Sequence, residues 1–354
     1  MPHPPHTERR TVADAGRHDR QRLVPGFGGP AQDRLRQSSV LVAGCGALGC
    51  TIADLVVRAG VGRVVIVDRD VVEPSNLQRQ TLFAQADLGV PKALAARARL
   101  QAIDPAVRIE AWVDSIERES IDDYLDGIDQ VFDGFDAMEP RYLLNDACVR
   151  DGRPWVYCAA IATQARAMLV HAGGPCLRCV WPDAPPTGAL GTCDSAGVLG
   201  SSIAIAAGAS VSLGLPILAG MPPAAPSLVS IDTAQGSWRT ISVARDPACP
   251  CCVGRRFDWL EGASGAATAV LCGRHAVQVR PAVAAVLDQA AWLARLAPSG
   301  SFTAGEGLVR GTLDPSRCGG AALELTVFMD GRAIVHGTTD PAVAAAVCER
   351  VLGG

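Results

Sequence analysis

The sequence contains almost no lysine. Lys92 is the only lysine among its 32 basic residues, and all the others are arginines. With 36 acidic residues, the formal net charge of the 354-residue chain is −4. This balance lacks the basic excess that nucleic-acid-binding domains carry, so we expect no nucleic-acid partner.

The sequence also shows no sign of a secretory signal or of a disulfide framework. The first residues, MPHPPHTERR, include no apolar stretch. An odd number of cysteines, 13, favours a reducing, cytoplasmic compartment. The uncharged stretch between Asp194 and Asp232 is long enough to cross a membrane, but it is rich in Gly, Ser and Ala and is interrupted by Pro216. We expect a buried helix or loop there, and no membrane association.

Apolar runs alternate with helical patterns over the first two thirds of the chain. Strands are expected at 39–43, 63–67, 107–113, 130–132 and 155–159, and helices at 47–59 and 92–102. Such alternation predicts an α/β fold with a Rossmann-like, doubly wound and mainly parallel sheet over residues 38–260. Residues 1–37 are polar and rich in arginine, and we expect them to form an N-terminal arm.

The pattern changes after a small-residue segment at 261–269, which we interpret as a linker. Residues 270–354 combine a helical pattern at 282–296, a strand pair at 323–328 and 333–335, and a last helix at 342–352. They predict a small α+β domain, and partner docking is our hypothesis for it. The chain ends in Gly353-Gly354, for which a frayed domain end is the simplest interpretation.

A glycine-rich turn follows the first predicted strand. Gly44, Gly46 and Gly49 form G-x-G-x-x-G where that strand gives way to a helix. Glycines permit the tight turn and let backbone N–H groups approach phosphate at the helix N-terminus. Asp68 ends the second strand, where a carboxylate can accept hydrogen bonds from ribose hydroxyls. These features predict a nucleotide site without separating NAD, FAD and ATP.

The segment after the second strand favours ATP. Residues 68–80 are DRDVVEPSNLQRQ, and Lys92 follows them. A triphosphate needs cations to neutralise its charge during attack at phosphorus, whereas hydride transfer does not. The one ammonium in a chain that otherwise uses arginine indicates a site for a compact point charge. The alternative is a lysine left by chance on a helix surface.

Four cysteines have the spacing of metal ligands. Cys176 and Cys179 form one C-x-x-C pair, and Cys249 and Cys252 form a second. Two such pairs predict tetrahedral structural Zn²⁺ that joins two distant loops. Cys251 adjoins Cys252, and the spacing favours Cys252 as the ligand. A redox dithiol is the alternative, although one pair would suffice for it.

These motifs together resemble the ThiF/MoeB/HesA family of adenylyltransferases, relatives of the ubiquitin-activating enzymes. The resemblance covers about residues 17–255 and includes R-x-x-R-Q at 17–21 and D-x-x-D at 133–136, with an Arg and an Asn downstream. It implies Mg²⁺ and ATP as cofactors and a homodimeric enzyme. The reaction it implies is adenylylation of the C-terminal glycine of a ubiquitin-like sulfur-carrier protein ending in Gly-Gly. Pyrophosphate is released, and the carrier is prepared for thiocarboxylate formation.

The resemblance also implies roles for individual residues. Asp136 would coordinate Mg²⁺, with a helix N-cap as the alternative. Arg20 would reach across the dimer interface as an arginine finger. The implied catalytic residues are Arg20, Arg79, Lys92, Asp136 and Cys193. The implied nucleotide-binding residues are Gly44, Gly46, Gly49, Asp68, Asp70, Ser75, Asn76, Leu77, Gln78, Arg79, Gln80, Lys92 and Asp136.

Cys193 lies at a position where family members with a sulfur-transfer or thioester role carry a cysteine. Its thiolate would attack the acyl-adenylate or take part in a persulfide-linked exchange. The alternative is a small buried residue.

Departures from the family pattern leave the substrate open. Ala47 replaces the usual glycine, Asp136-Ala137 replaces the common Asp-Asn pair, and the usual Glu and Lys after the cysteine loop are missing. Two hypotheses therefore stand beside the sulfur carrier. One is adenylylation of a peptide or natural-product carboxylate in secondary metabolism, and the other is a non-catalytic carrier- or peptide-binding module. A scaffold has no use for Arg20, Arg79, Lys92 and Asp136 together, which argues against the second.

Overall fold

The computed structural model describes residues 16–185, 196–262, 268–271, 276–279, 288–305, 307–318, 322–329 and 331–352. Cys193, Gly353-Gly354 and most of the predicted linker lie outside the described residues. Within these ranges the helices are α1 (Asp19–Arg22), α2 (Gly29–Gln37), α3 (Ala47–Arg58), α4 (Lys92–Ile103), α5 (Ile121–Leu125), α6 (Glu139–Asp151), α7 (Leu177–Val180), α8 (Gly200–Leu218), α9 (Gln289–Leu296) and α10 (Pro341–Leu352). Short 3₁₀ helices lie at Pro74–Asn76, Gln85–Asp87, Ala297–Ser299 and Pro315–Arg317.

The strands belong to two sheets. Those of the first sheet are β1 (Ser39–Ala43), β2 (Arg63–Val67), β3 (Arg108–Trp112), β4 (Gln130–Asp133), β5 (Trp155–Ile161), β6 (Gln164–Val170), β7 (Ser227–Asp232) and β8 (Ser237–Ser242). Those of the second are β9 (Thr268–Leu271), β10 (Ala276–Val279), β11 (Gly300–Gly305), β12 (Leu308–Leu313), β13 (Glu324–Phe328) and β14 (Ala333–His336).

The first sheet has the order β3-β2-β1-β4-β5-β6-β7-β8. Pairing is parallel from β3 to β5 and antiparallel from β5 to β8. In the parallel part, Val42 lies between Ile66 of β2 and Phe132 of β4. The predicted Rossmann-like, doubly wound α/β sheet is confirmed.

Each face of this sheet packs on its own apolar core. One core joins the sheet to α3, α4 and α8, and the other joins it to α5 and α6. Strands covered on both faces need continuous apolar runs, which SVLVA of β1 and RVVIV of β2 supply. The β-branched valines fit this pleated, buried surface.

Residues 29–37 are part of the folded domain. They form α2, in which Leu35 is fully buried in the core of the first sheet. The buried Gln32 donates from Nε2 to the carbonyl of Ala59 at 2.9 Å, which caps the C-terminal end of α3. The expectation of an N-terminal arm is therefore wrong for this segment, because tertiary contacts bury a helix whose sequence is mostly polar.

The uncharged stretch forms α8. Within the described part of the chain it is the one helix with the length and mean hydropathy, 1.7, of a membrane span. It packs against α3, β5 and β6, and Gly214 allows it to lie directly on Gln130 and Phe132 of β4. The helix is a core helix, as the small residues and Pro216 predict.

The second sheet has the order β11-β12-β13-β14-β10-β9, with antiparallel pairing throughout. The predicted strand pair is present as β13 and β14, in which Leu325 pairs with Val335. Helices α9 and α10 cover one face and form a separate core with the strands. This sheet begins at Thr268, slightly before the predicted domain start at residue 270.

Candidate functional site

The glycine loop connects β1 to α3 at the carboxyl edge of the first sheet. Gly44 has φ of +89°, which favours glycine. A Cβ on Gly49 would lie 1.9 Å from the carbonyl oxygen of Gly44, so the helix can approach the loop only without one. Gly46 is the N-cap of α3, and no side chain caps it. An anion can therefore occupy this helix end.

Asp68 ties the end of β2 to this loop. It is 8% exposed, and its Oδ2 accepts from the backbone N of Cys45 at 2.6 Å. Its Oδ1 accepts from the backbone N of Asp70 at 2.8 Å. Burial raises the pKa of Asp68, and the nearby charge of Lys92 acts in the opposite direction.

Lys92 begins α4 and is buried, with 1% of its surface exposed. Its Nζ lies 3.2 Å from Oδ2 of Asp70, and its backbone N donates to the carbonyl of Asp70 at 2.8 Å. A buried ammonium is costly unless it is paired, which accounts for Asp70. The alternative of a lysine on a helix surface is wrong.

The segment between Asp70 and Lys92 contains the remaining predicted nucleotide ligands. Asn76 is buried, and its Oδ1 accepts from the backbone N of Glu73 at 3.1 Å. Arg79 donates to the carbonyl of Ser75 at 2.7 Å. Gln80 is also buried, Leu77 packs at the border of the core, and Ser75 and Gln78 are exposed. The side chain of Asn76 therefore stabilises the turn that begins at Glu73.

The two carboxylates of the D-x-x-D motif have different environments. Asp133, at the end of β4, is fully buried and forms an ion pair of 2.7 Å with Arg141. It also accepts from the backbone N of Phe135 and of Cys158. Burial raises the pKa of Asp133, whereas Arg141 lowers it. Asp136 is exposed on the loop that follows, and the N-cap of α6 is Met138, so the N-cap interpretation of Asp136 is wrong.

Parallel strand order brings most of the predicted site to one edge. The glycine loop follows β1, Asp68 and Asp70 follow β2, and Asp136 follows β4, which are neighbouring strands. Ligands of open α/β sheets bind at such carboxyl ends. This common edge, here called the nucleotide edge, also contains Lys92 through its contact with Asp70.

Arg20 lies at the opposite edge of the sheet. It is exposed on α1, whose position is fixed by its neighbours in the R-x-x-R-Q motif. Arg17 donates to the carbonyl of Ile103 at the end of α4, and Gln21 donates to the carbonyl of Ala59 at the end of α3. Both helices begin at the nucleotide edge, so Arg20 is far from the site of its own chain.

The four predicted metal ligands come together. The Sγ atoms of Cys176, Cys179, Cys249 and Cys252 all lie within 4.8 Å of one another. Two of the separations are 3.6 Å and 3.5 Å, close to the roughly 3.8 Å that tetrahedral zinc thiolates with Zn–S bonds of about 2.3 Å require. The thiol of Cys251 accepts from Nδ2 of Asn145 at 3.3 Å and also interacts with the thiol of Cys176, but it is not one of the four gathered thiols. The donor set fits Zn²⁺, and four gathered thiols suit a metal better than a redox pair.

Several residues that support this cysteine cluster were not among the predicted site residues. Asn145 accepts from the backbone N of Leu177 at 2.9 Å, and Asp146 accepts from that of Trp259 at 3.0 Å. Arg178 forms an ion pair of 3.1 Å with Asp258. Burial raises the pKa of Asp146. Asn145 is the Asn downstream of D-x-x-D, so the sequence did contain a signal for one residue of this network. Arg141, the Arg of that motif, pairs with Asp133 instead.

Comparisons with known proteins agree with this geometry. The ThiF family model matches residues 18–251. The chain is 39% identical over 251 residues to a sulfur carrier protein adenylyltransferase of Thermus thermophilus, with 69% of this chain and 93% of that protein covered. It is 35% identical over 344 residues to the sulfur carrier protein ThiS adenylyltransferase of Bacillus subtilis, with coverage of 96% and 99%.

Among solved structures, E. coli MccB with ATP matches with a TM-score of 0.57 at 19% identity, over 67% of this chain and 74% of that chain. At this identity the match shows the fold alone. The chain belongs to the ThiF family, as an adenylyltransferase of the ThiF/MoeB type. The predictions of family and enzyme class are confirmed, and ATP is the nucleotide that this family uses.

Proposed function

We propose that this enzyme activates a ubiquitin-like sulfur-carrier protein. It adenylylates the carboxylate of the carrier's C-terminal glycine with ATP, releases pyrophosphate, and prepares the carrier for thiocarboxylate formation. The names of the Thermus and Bacillus relatives support this substrate, and the Bacillus protein aligns along nearly the whole chain. MccB shares only the fold at 19% identity and lends no weight to a peptide substrate.

The burial of Lys92 beside the glycine loop is the observation that carries the proposal. Lys92 is 1% exposed, and a buried ion pair often contributes no more to stability than apolar residues of similar volume. Stability therefore does not account for the ammonium, whereas binding of a negative ligand does. ATP supplies that ligand, because its phosphates can compete with Asp70 for the ammonium. The attacking glycine carboxylate is already ionised at pH 7, so the reaction needs cations and no general base.

Other residues of the nucleotide edge have complementary roles in this proposal. The uncapped N-terminus of α3 binds phosphate, and Asp68 binds the ribose. Both oxygens of Asp68 already accept one backbone hydrogen bond, and each retains a lone pair for a hydroxyl. Mg²⁺, held by the exposed Asp136, would neutralise charge on the phosphates. Asn76 and Arg79 complete the phosphate contacts.

We further propose that the enzyme is a homodimer. Arg20 lies at the edge opposite its own nucleotide site, which fits a finger that serves a partner subunit. Cys193 is assigned here to the sulfur-transfer or thioester step on the basis of its sequence context. Zn²⁺ in the cysteine cluster has a structural role. The odd number of cysteines, 13, is our reason for proposing a cytoplasmic setting.

ATP–pyrophosphate exchange with Mg²⁺ tests the proposal. The assay compares no partner, a carrier protein ending in Gly-Gly, the same carrier without its last glycine, and a short peptide ending in Gly-Gly. We expect exchange only with the complete carrier, and its loss in Lys92→Ala. Lys92→Arg keeps the charge but places a planar fork in a buried site for a point charge, so we expect it to fail as well. Exchange with the peptide alone would support the natural-product alternative, and silence in every arm with folded, zinc-loaded protein would support the binding module.

A further inference from the structure

The second sheet packs directly against the nucleotide edge. The contact is an apolar cluster in which Val71, the residue after Asp70, is buried under side chains from four places in the second sheet. These side chains are Ala276, Leu308, Phe328 and Ile334. They lie on the sheet face opposite α9 and α10, so the domain uses its uncovered face for this contact.

A buried arginine fixes the same domain to a second loop of the edge. Arg332, at 2% exposure, donates from Nη2 to the carbonyl of Val113, just after β3. Its Nη1 lies 3.5 Å from Oδ1 of Asp114, and its guanidinium lies 4.9 Å from the ring centre of Phe328. Gln278 adds a hydrogen bond of 3.3 Å to the hydroxyl of Ser115.

Both contacted loops are connected to residues of the candidate site, one through the chain itself and the other through a backbone hydrogen bond. Val71 lies between Asp70, which binds Lys92 by side chain and backbone, and Val72, whose N donates to the carbonyl of Val90. The second loop begins beside Trp112, whose carbonyl accepts from the backbone N of Asp68 at 3.0 Å. Movement of either loop would therefore displace Asp68 or the Lys92–Asp70 pair.

We propose that Arg332 is a positioning residue of the nucleotide site, and that the C-terminal domain clamps the loops after β2 and β3 for ATP binding. This inference rests on ATP being the substrate, as in the proposed function. The Thermus relative matches over 251 residues that make up 93% of its length, so it is too short to contain an equivalent of the whole chain. The fold can thus build the site without the clamp, and the clamp should tune ATP affinity and leave the chemical step unchanged.

Arg332→Ala in the full-length protein tests the clamp. The Kd of α,β-methylene-ATP with Mg²⁺ should rise about tenfold, because a buried charge-assisted hydrogen bond contributes on that scale. In pyrophosphate exchange the KM for ATP should rise similarly, with kcat within about twofold of wild type. Arg310→Ala, which removes an exposed ion pair with Glu324 in the same sheet, is the matched control and should change neither value.

Further variants separate positioning from folding. Val71→Ala weakens the clamp from the other side of the contact and should raise the Kd in the same direction. Val347→Ala loosens the core between α10 and the second sheet without touching the clamp, and should lower domain stability while the Kd stays constant. In a double-mutant cycle with Asp114→Asn, the double variant should lose less binding free energy for the ATP analogue than the two single variants lose in sum.

Wild-type Kd in both Arg332→Ala and Val71→Ala would overturn the clamp, as would a fall in kcat with unchanged KM. Failure of the wild-type protein to bind the ATP analogue would instead overturn the proposed function. Arg332→Lys keeps a donor for the carbonyl of Val113, so we expect it to recover part of the lost affinity.

Discussion

The two edges of the first sheet are organised in opposite ways. At the nucleotide edge, loops after neighbouring strands are held by backbone hydrogen bonds and by buried ion pairs, namely Lys92 with Asp70 and Arg141 with Asp133. At the other edge, near the start of β5 and the end of β6, four thiols gather residues that are far apart in the chain. One edge thus presents a glycine loop and paired charges, and the other presents four thiols whose spacing fits a metal.

A single helix connects these edges. Arg141, near the start of α6, pairs with Asp133, whereas Asn145 and Asp146, one turn later, bond to the cysteine loops. The chain therefore uses buried polar side chains of one helix to align a reactive region with a structural one.

The largest effect should come from removing one thiol of the four-cysteine cluster. Cys252→Ser should lose the zinc and destabilise the protein by several kcal/mol, because structural zinc contributes directly to folding. Cys251→Ser is the matched control: its thiol bonds to Asn145 and lies outside the four-thiol set, so zinc should remain. Zinc content by elemental analysis and the unfolding midpoint check both. Loss of zinc in Cys251→Ser with retention in Cys252→Ser would show that Cys251, and not Cys252, is the fourth zinc ligand.

Arg20→Ala should have the next largest effect, this time across two subunits. If Arg20 acts as a finger on the partner's phosphates, exchange should fall by about a thousandfold. Arg20→Ala and Lys92→Ala protomers that pair at random form heterodimers in about half of the dimers. Each heterodimer has one site with both residues and one site with neither, so about a quarter of all sites should be active. A mixture as inactive as its components would show that Arg20 does not act across the interface.

The D-x-x-D pair sharpens the comparison within the nucleotide edge. If Asp136 holds Mg²⁺ as proposed, Asp136→Asn should lower exchange by about a hundredfold. It should change stability little, since Asp136 is exposed. Asp133→Asn should destabilise the fold by about 3 kcal/mol, because it leaves Arg141 buried without its partner charge.

Chemical unfolding and exchange at saturating Mg²⁺ measure both variants. The interpretation fails if Asp133→Asn keeps full stability or if Asp136→Asn keeps full activity.

These cases also show what the sequence can predict. The bounds of β1 and β2 agree with the sequence prediction, since buried parallel strands need continuous apolar runs and the motifs after them are local. The two aspartates of D-x-x-D are equivalent in sequence, and only the tertiary structure decides which is buried. Likewise, α2 has few apolar residues, and its burial depends on contacts with Ala59 and α8 that no local pattern encodes.

The smallest effect should come from a partly exposed ion pair between neighbouring strands of the first sheet. Arg63 of β2 forms a bond of 2.8 Å with Glu110 of β3 and, as the main cause, lowers the pKa of Glu110 below its ordinary value of 4.5. A lowered carboxyl pKa stabilises the fold above that value, and the stabilisation disappears as the pH falls through the folded-state pKa. Glu110→Gln should therefore cost under about 1 kcal/mol at pH 7, because the pair is partly exposed. It should cost nothing at strongly acidic pH, and urea unfolding at both pH values measures this. An equal cost at both would mean that Glu110 acts through packing, whereas an altered ATP affinity would mean that the pair between β2 and β3 also positions Asp68.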